Sequence, residues 1–167
     1  LAFKDYPFQW SKIDLQKAIF RRGFDPSLSF GAFYENKLVS FTLNGLGYHQ
    51  GIKTAYDTGT GTVPAHRGKG LASRIFEYSI PFLKAVGVKQ YILEVLEENK
   101  VAYSVYEKQG FCISRKFDCF RVNMSEWKKE EASLPGGFTC NEIDFNYQSI
   151  MELMTDFRHS WQNDFQA

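Results

Sequence analysis

The chain reads as an α/β (α+β) domain with a mixed, mostly antiparallel sheet flanked by helices. Three observations predict this. Leu28–Tyr34, Leu38–Leu46 and Lys53–Val63 are apolar or aromatic runs that follow one another closely, as consecutive antiparallel strands do. A glycine-rich turn, Arg67-Gly68-Lys69-Gly70, then leads straight into a segment with helical apolar spacing. Beyond it the pattern becomes strand, helix and a closing strand pair.

Taken in order, Leu1 to Phe8 is aromatic-rich and reads as the end of an element followed by a loop. Ser11 as N-cap and Gly23 as stop predict a helix over Trp10 to Arg22. Glu35-Asn36-Lys37 marks a hairpin between the first two strands, and Gly45, Gly47 and Gly51 predict a loop before the third. After the glycine turn, Leu71, Ile75, Phe82, Leu83 and Val86 form one stripe, with a kink expected at Pro81 and an end at Gly87. Val88–Val95 is the next strand. Asn99 caps a helix that runs to Gln109 and stops at Gly110. Phe111–Arg115 and Cys119–Asn123 are expected to close the sheet.

The composition changes after Met124. Residues 1–124 read as the domain and 125–137, with Lys128-Lys129-Glu130-Glu131 and Pro135-Gly136-Gly137, as a linker. The tail, 138–167, reads as a strand (Phe138–Asp144) and an amphipathic helix (Tyr147–Phe157). The Met-rich stripe of that helix is expected to be core.

Composition narrows the function classes. The 167 residues suffice for one domain with a real core, and 44% hydrophobic with 23% charged residues is a globular balance. A net charge of +1 gives no basic field for nucleic acid or an anionic membrane. Cys112, Cys119 and Cys140 form no CxxC and no even framework, so a reduced, cytoplasmic setting is expected, with no metal site. No apolar run reaches the roughly 20 residues of a membrane span. The chain opens at Leu1 without methionine, which implies that the native N-terminus is missing.

The stretch from Tyr56 to Ser73 carries the chemistry. A strand delivers the chain through Pro64 to a Gly-x-Gly turn at a helix start, where free N–H groups and the helix dipole suit a phosphate or pyrophosphate. Arg67 and Lys69 bring two cations to the same corner. A Walker A loop is excluded, because Gly68-Lys69 is followed by Gly70 and the position five before Gly68 is Val63. A dinucleotide fingerprint fits only in part, since Ser73 stands where Gly or Ala belongs.

Ala65-His66-Arg67-Gly68-Lys69-Gly70 resembles the coenzyme A loop of the GNAT acetyltransferases, (Gln/Arg)-x-x-Gly-x-(Gly/Ala), departing at Ala65. Glu94-Val95, Asn99, Val105-Tyr106 and Gln109-Gly110-Phe111 resemble that family's second signature at its spacing. The element order from about Phe30 to Phe120 is also similar. The resemblance implies a sheet splayed between the strand Tyr56–Thr62 and the strand Val88–Val95, an acetyl-CoA cofactor, and transfer to an amine in a ternary complex. Backbone groups of Thr60, Gly61 and Thr62 would hold the pantetheine arm. Those from Gly68 through Gly70, Leu71, Ala72 and Ser73 would hold the pyrophosphate, with Arg67 and Lys69 beside it. Asn99 resembles the side chain that bonds the coenzyme arm, and Tyr106 the phenol that protonates the departing thiolate. Glu94 matches a position used as the base, Asp57 is its rival, and a Thr62 N–H is assigned to the oxyanion.

Each of these residues also has a plain structural reading: a solvated cation pair, a helix cap, a core tyrosine, a strand-end carboxylate. The acceptor side points to Phe3, Tyr6, Phe8 and Trp10, with polar contacts from Asn44, Tyr56 and Asp57, without naming a substrate. Expected partners are a small-molecule or peptide amine, with no nucleic acid and no membrane. The resemblance implies an opening strand and part of a first helix that are missing ahead of Phe3, and the tail itself resembles the start of such a module, so it is expected either to belong to a tandem protein or to take the absent strand's place in cis or in a homodimer. Two other functions remain open: a catalytically idle CoA-binding module, and a nucleotide-binding regulator using the same turn.

Overall fold

The computed structural model describes residues 11–127, 134–143, 147–154 and 161. The described residues up to Cys112, with Trp161, form one compact unit, and those from Ile113 onward up to Met154 form a second.

Helix α1 (Lys12–Arg21) starts where Ser11 accepts the Asp14 N–H and stops at Gly23, whose φ of +70° lets the chain leave the helix. The sheet follows as β1 (Phe30–Tyr34), β2 (Lys37–His49), β3 (Ile52–Thr62) and β4 (Gln90–Ile92), in that spatial order. β1, β2 and β3 are antiparallel neighbours, and β4 joins β3 in parallel. Two-residue turns with both residues at positive φ, Glu35-Asn36 and Gln50-Gly51, connect the antiparallel strands and match their twist.

Of the three glycines expected to open a loop, Gly51 sits in the turn, but Gly45 and Gly47 lie inside β2 instead. A side-chain carbon on Gly45 would fall 2.0 Å from the Arg22 carbonyl oxygen, and one on Gly47 would fall 2.7 Å from the ring of Trp161. These positions exclude a side chain because other parts of the chain press on the strand there. Trp161, itself buried, stacks on Tyr56 with ring centres 5.4 Å apart and planes 5° from parallel.

Helix α2 (Leu71–Ala85) packs on the other face, where Leu28, Ala55 and Leu83 form the core with Leu46, Val88 and Tyr91 against them. Its buried line is Ile75, Ser79 and Leu83, one residue per turn, while Phe82 and Val86 stay exposed. The helix runs without interruption through Pro81. Pro81 and Glu77 are both exposed, so the carbonyl freed by the missing N–H lies on the solvent side. Helix α3 (Lys100–Lys108) is capped by Asn99, whose Oδ1 accepts the Ala102 N–H.

Residues 111–123 contain no strand, contrary to the expected closing pair. Phe111 packs its ring against Phe76, Tyr91 and Tyr106 instead. Residues 113–123 are mostly exposed, Phe120 at 95%, so their alternating pattern has no face to bury. The expected strand from Phe138 is likewise absent over 138–143, and its last residue, Asp144, lies outside the described residues. The tail helix appears as α4 (Gln148–Leu153), shorter than expected, with Ile150, Leu153 and Met154 exposed within their unit rather than core. Residues 155–157 of that expectation lie outside the described residues, as do Phe3, Tyr6, Phe8 and Trp10, and Lys128 to Glu131 of the linker.

Gly45→Ala is expected to destabilise the domain by about 3 kcal/mol, because the added carbon meets backbone that cannot be trimmed. Urea unfolding measures this, and an unchanged midpoint would contradict the packing described.

Candidate active site

β3 and β4 part company early. They pair only at Thr54↔Gln90, Ala55↔Tyr91 and Tyr56↔Ile92, whereas β3 continues on β2 to Thr62. The Val63 N–H donates to the Val39 carbonyl, so alternation along the strand turns the N–H and C=O of Gly61 toward β2 and those of Thr62 and Thr60 toward the opposite edge. The open edge thus offers Thr60 and Thr62. Gly61, expected to contribute as well, is buried with its polar groups facing β2, and this is a correction. The Arg67 Nε donates to the Thr62 carbonyl at 3.2 Å, which leaves the Thr62 N–H as its group toward the fork.

At the end of β3 the chain makes one 3-10 turn, Pro64–His66, and then the glycine turn. Gly68 and Gly70 have φ of +75° and +69°, the left-handed region that L side chains rarely adopt. No atom lies within 4 Å of a side-chain carbon built on either one, so the space before them is open. Gly70 caps α2 without a side chain, and the N–H groups of Leu71, Ala72 and Ser73 begin the helix with no carbonyl one turn behind them. Arg67 and Lys69 are exposed on the same turn. Together these features bring free N–H groups and two cations to one open corner.

Asp57 is the first β3 residue past the last β3–β4 pair. Its Oδ1 accepts the Gly59 N–H at 2.9 Å, and its Oδ2 accepts the hydroxyls of Thr60 at 2.8 Å and Tyr106 at 3.2 Å. This arrangement depends on a bulge: Asn44 pairs with Asp57 and Leu43 with Gly59, so Thr58 is the extra residue. Thr58 is held by its hydroxyl to the Leu43 carbonyl and by its own carbonyl, which accepts from Arg22. Asp57 keeps some accessible surface, yet its carboxyl is crowded by protein atoms. Burial pushes the Asp57 carboxyl above its ordinary value, against the opposing pull of Thr60, Tyr106, Gly59 and the Arg22 charge. Tyr91 behind it is raised well above the usual phenol range by burial, then by Asp57 and Tyr106, and so stays neutral.

The structure therefore joins two predicted residues, Asp57 and Tyr106, directly. Glu94 stands exposed past the end of β4. Asn99 sits at the start of α3, with its Oδ1 engaged in the cap. Asn44 and Tyr56 do not present a substrate surface, which corrects that expectation. Asn44 is fully buried, donating to the Leu28 carbonyl and accepting from Tyr91, and Tyr56, 2% exposed, lies under Trp161.

Residues 1–111 match the model of the acetyltransferase (GNAT) family. The chain belongs to this family. It is 26% identical over 99 residues to N-alpha-acetyltransferase 30 of Schizosaccharomyces pombe, covering 59% of this chain and 66% of that protein. To the mycothiol acetyltransferase of Streptomyces avermitilis it is 32% identical over 112 residues, covering 66% of this chain and 36% of the relative. It thus spans about a third to two thirds of the length of these curated relatives. The fold is also that of AAC(6')-Iy in complex with the bisubstrate analogue CoA-S-monomethyl-acetylneamine: TM-score 0.56, 16% identity, 74% of this chain and 87% of the other.

Arg22, Thr60 as a side chain, and Tyr91 were not singled out from the sequence. Asp57-Thr58-Gly59-Thr60 did carry a signal, since an Asp two residues before a Gly inside a strand is the cue for a side-chain turn that breaks the ladder. Nothing local signals Arg22 or Tyr91. Among the described residues, no group of three or more His, Cys, Asp or Glu is placed to hold a metal ion.

A proton binds Asp57 more tightly in the folded chain than in the unfolded one. The stability it contributes is thus complete below its ordinary value of 3.8 and is lost as pH rises through the raised folded value. Wild type is expected to lose stability relative to Asp57→Asn across that window. Urea unfolding at a series of pH values tests this, and a pH-independent difference would contradict it.

Proposed function

We propose that the chain is an acetyl-CoA-dependent N-acetyltransferase that moves an acetyl group directly onto an amine in a ternary complex. The observation that carries this reading is the parting of β3 from β4 after Tyr56↔Ile92, immediately before the glycine turn. A coenzyme arm laid along the open edge of β3 would bond Thr60 and Thr62 as an added strand does. Its pyrophosphate would meet the N–H groups of Gly68 through Ser73, where the helix dipole favours negative charge. The exposed cations of Arg67 and Lys69 complement the same anion, and the Asn99 amide nitrogen is the group left to reach the arm.

Acetyl-CoA, when bound, supplies an acyl group activated as a thioester. The chain's own residues then have three tasks. The amine must be held neutral against the carbonyl, which proximity alone makes productive. An N–H at the open edge, that of Thr62, meets the oxyanion. Tyr106, reaching the fork from α3, gives its proton to the leaving sulfur. The proton released by the amine needs an acceptor, and Glu94 and Asp57 are the two carboxylates on opposite arms of the fork.

An N-alpha-acetyltransferase and a mycothiol acetyltransferase among the relatives support a small-molecule or peptide amine as acceptor. Among the described residues no helix is long and apolar enough to cross a membrane. The cysteines at 112, 119 and 140 are free and exposed, which supports a reducing, cytoplasmic setting. For the tail, the stacking of Trp161 on Tyr56 supports a segment that folds back onto the domain in cis, and the limits 1–124, 125–137 and 138–167 rest on the change of composition alone.

The deciding experiment measures thiol release from acetyl-CoA with three amines: a peptide with a free N-terminus, neamine and a cysteine glycoside. Release with at least one is expected. CoA binding with no release from any would assign the idle CoA-binding module instead. Tyr106→Phe should lower kcat by about 100-fold while the KM for acetyl-CoA changes little, and unchanged turnover would remove Tyr106 as the acid. Gly70→Phe should abolish CoA binding in a calorimetric titration, and retained binding would refute the cradle.

A further inference from the structure

We propose that Arg22 is a positioning residue for coenzyme binding: its guanidinium pins the extra residue of the β3 bulge and thereby decides which main-chain groups of β3 face the open edge. This rests on the acetyltransferase reading above.

The alternation of the two strands leads to it. In β2 the Leu46 N–H donates to the Gly23 carbonyl and the Asn44 carbonyl accepts the Asp25 N–H, so Leu43, Gly45 and Gly47 present their polar groups to β3. Before the bulge their partners are the even-numbered Thr54 and Tyr56, and β3 turns its odd-numbered groups toward β4, where the Lys53 carbonyl accepts the Lys89 N–H. Past the bulge the partners of β2 are the odd-numbered Gly59, Gly61 and Val63, and Thr60 and Thr62 face the edge that β4 has left. Thr58 is the residue that switches one series into the other.

A bulge leaves its extra residue without a ladder partner, so something else has to hold it. The Thr58 carbonyl accepts from Arg22 Nη1 at 2.9 Å, across 36 positions of sequence, and the Thr58 hydroxyl donates to the Leu43 carbonyl. Arg22 reaches this far because its own main chain is pressed onto β2. It is the C-cap of α1, the Gly23 carbonyl takes the Leu46 N–H, and a side-chain carbon at Gly45 would fall 2.0 Å from the Arg22 carbonyl oxygen. The seat at Gly45 and the tie at Thr58 make the end of α1 a clamp on the bulge.

Ironing the bulge out would slide the outer half of β3 by one residue against β2. Thr58 would then oppose Leu43 and Thr60 would oppose Phe41, so Gly59 and Gly61 would face the edge in place of Thr60 and Thr62. Each donor offered to the coenzyme arm would lie one residue further from the glycine turn, about 3.3 Å. The hydroxyl pairs Ser40–Thr62 and Thr60–Thr42 also resist that slip, since it would separate both. The Thr58 carbonyl is held from a charged donor, the stronger kind of hydrogen bond.

Amide hydrogen exchange followed by NMR on the full chain, without coenzyme, is the first test. Arg22→Met keeps the aliphatic stem and removes the donor. The acceleration of exchange at Gly61 and Val63 is expected to exceed that at Thr54 and Tyr56, which bond the same strand before the bulge, about 10-fold. Equal acceleration in both halves, or none, would overturn the proposal. If Arg22→Met does not fold, Arg22→Lys, with its charge on a shorter reach, is measured in its place with the same inequality expected.

Calorimetric titration with CoA is the second. Arg22→Met should weaken binding about 10-fold, and unchanged affinity beside a loosened outer half would overturn the proposal. Deleting Thr58 supplies the control. Without the extra residue, regular alternation from Asp57 through Gly59 already turns Thr60 and Thr62 to the edge, so adding Arg22→Met to the deletion should change neither the exchange ratio nor the CoA affinity. A full loss in that background would assign Arg22 some other role and overturn its part in setting the edge. If the wild-type chain binds no CoA, the acetyltransferase reading fails, whereas the exchange ratio still reports whether Arg22 sets the edge.

Discussion

Backbone hydrogen bonding along β3 is the constraint on which the rest of the structure depends. The strand has two partners for three residues and then one, because β4 ends at Ile92 while β2 continues to Ser40. Polar groups left without a partner need another one, from water, a side chain or a ligand. Near the branch the chain itself supplies it: Asp57 turns back onto the Gly59 N–H, and Arg22 reaches the Thr58 carbonyl. Further along, the edge stays open toward the glycine turn. One strand therefore provides a closed, internally bonded segment and an open one within a few residues of each other.

Around that branch the sheet is polar inside as well as outside. Ser40 shares a hydrogen bond with Thr62, Thr60 with Thr42, and Asn44 with Tyr91. Buried hydroxyls and amides paired across strands hold register more sharply than aliphatic contacts, because a slip would leave each of them unpaired in a dry interior. The bulge at Thr58 is thereby kept in place. It turns Asp57 and Thr60 onto a common centre, which a regular two-residue alternation would not do.

Much of this was legible in the residues. Ser11, Gly23, Asn99 and Gly110 delimit their helices as local chemistry dictates, and the turns at Glu35-Asn36 and Gly68-x-Gly70 follow from residues that tolerate positive φ. What escaped was tertiary. Gly45 and Gly47 resemble loop glycines until Arg22 and Trp161 are seen pressing on them. The alternation in Cys119–Asn123 resembles a strand, and only the absence of a covering face over Phe120 shows otherwise. Asp57 and Tyr106 could each be singled out by position, but no local pattern announces that their oxygens meet. Asn44 and Tyr56 were misread for the same reason: polarity in a strand marks a ligand contact or an internal strut equally well, and burial decides between them.

The glycines of β2 and those of the turn are indispensable in different ways, and this bears on how the protein can evolve. At Gly47 the obstacle is the ring of Trp161, so a bulkier residue there could be rescued by a smaller partner at 161, and the two positions are free to covary. At Gly68 and Gly70 nothing stands nearby to be trimmed, because the demand comes from the peptide torsions themselves. A change at either has no compensating mutation among neighbouring side chains, so drift in the turn has only backbone rearrangement as an escape.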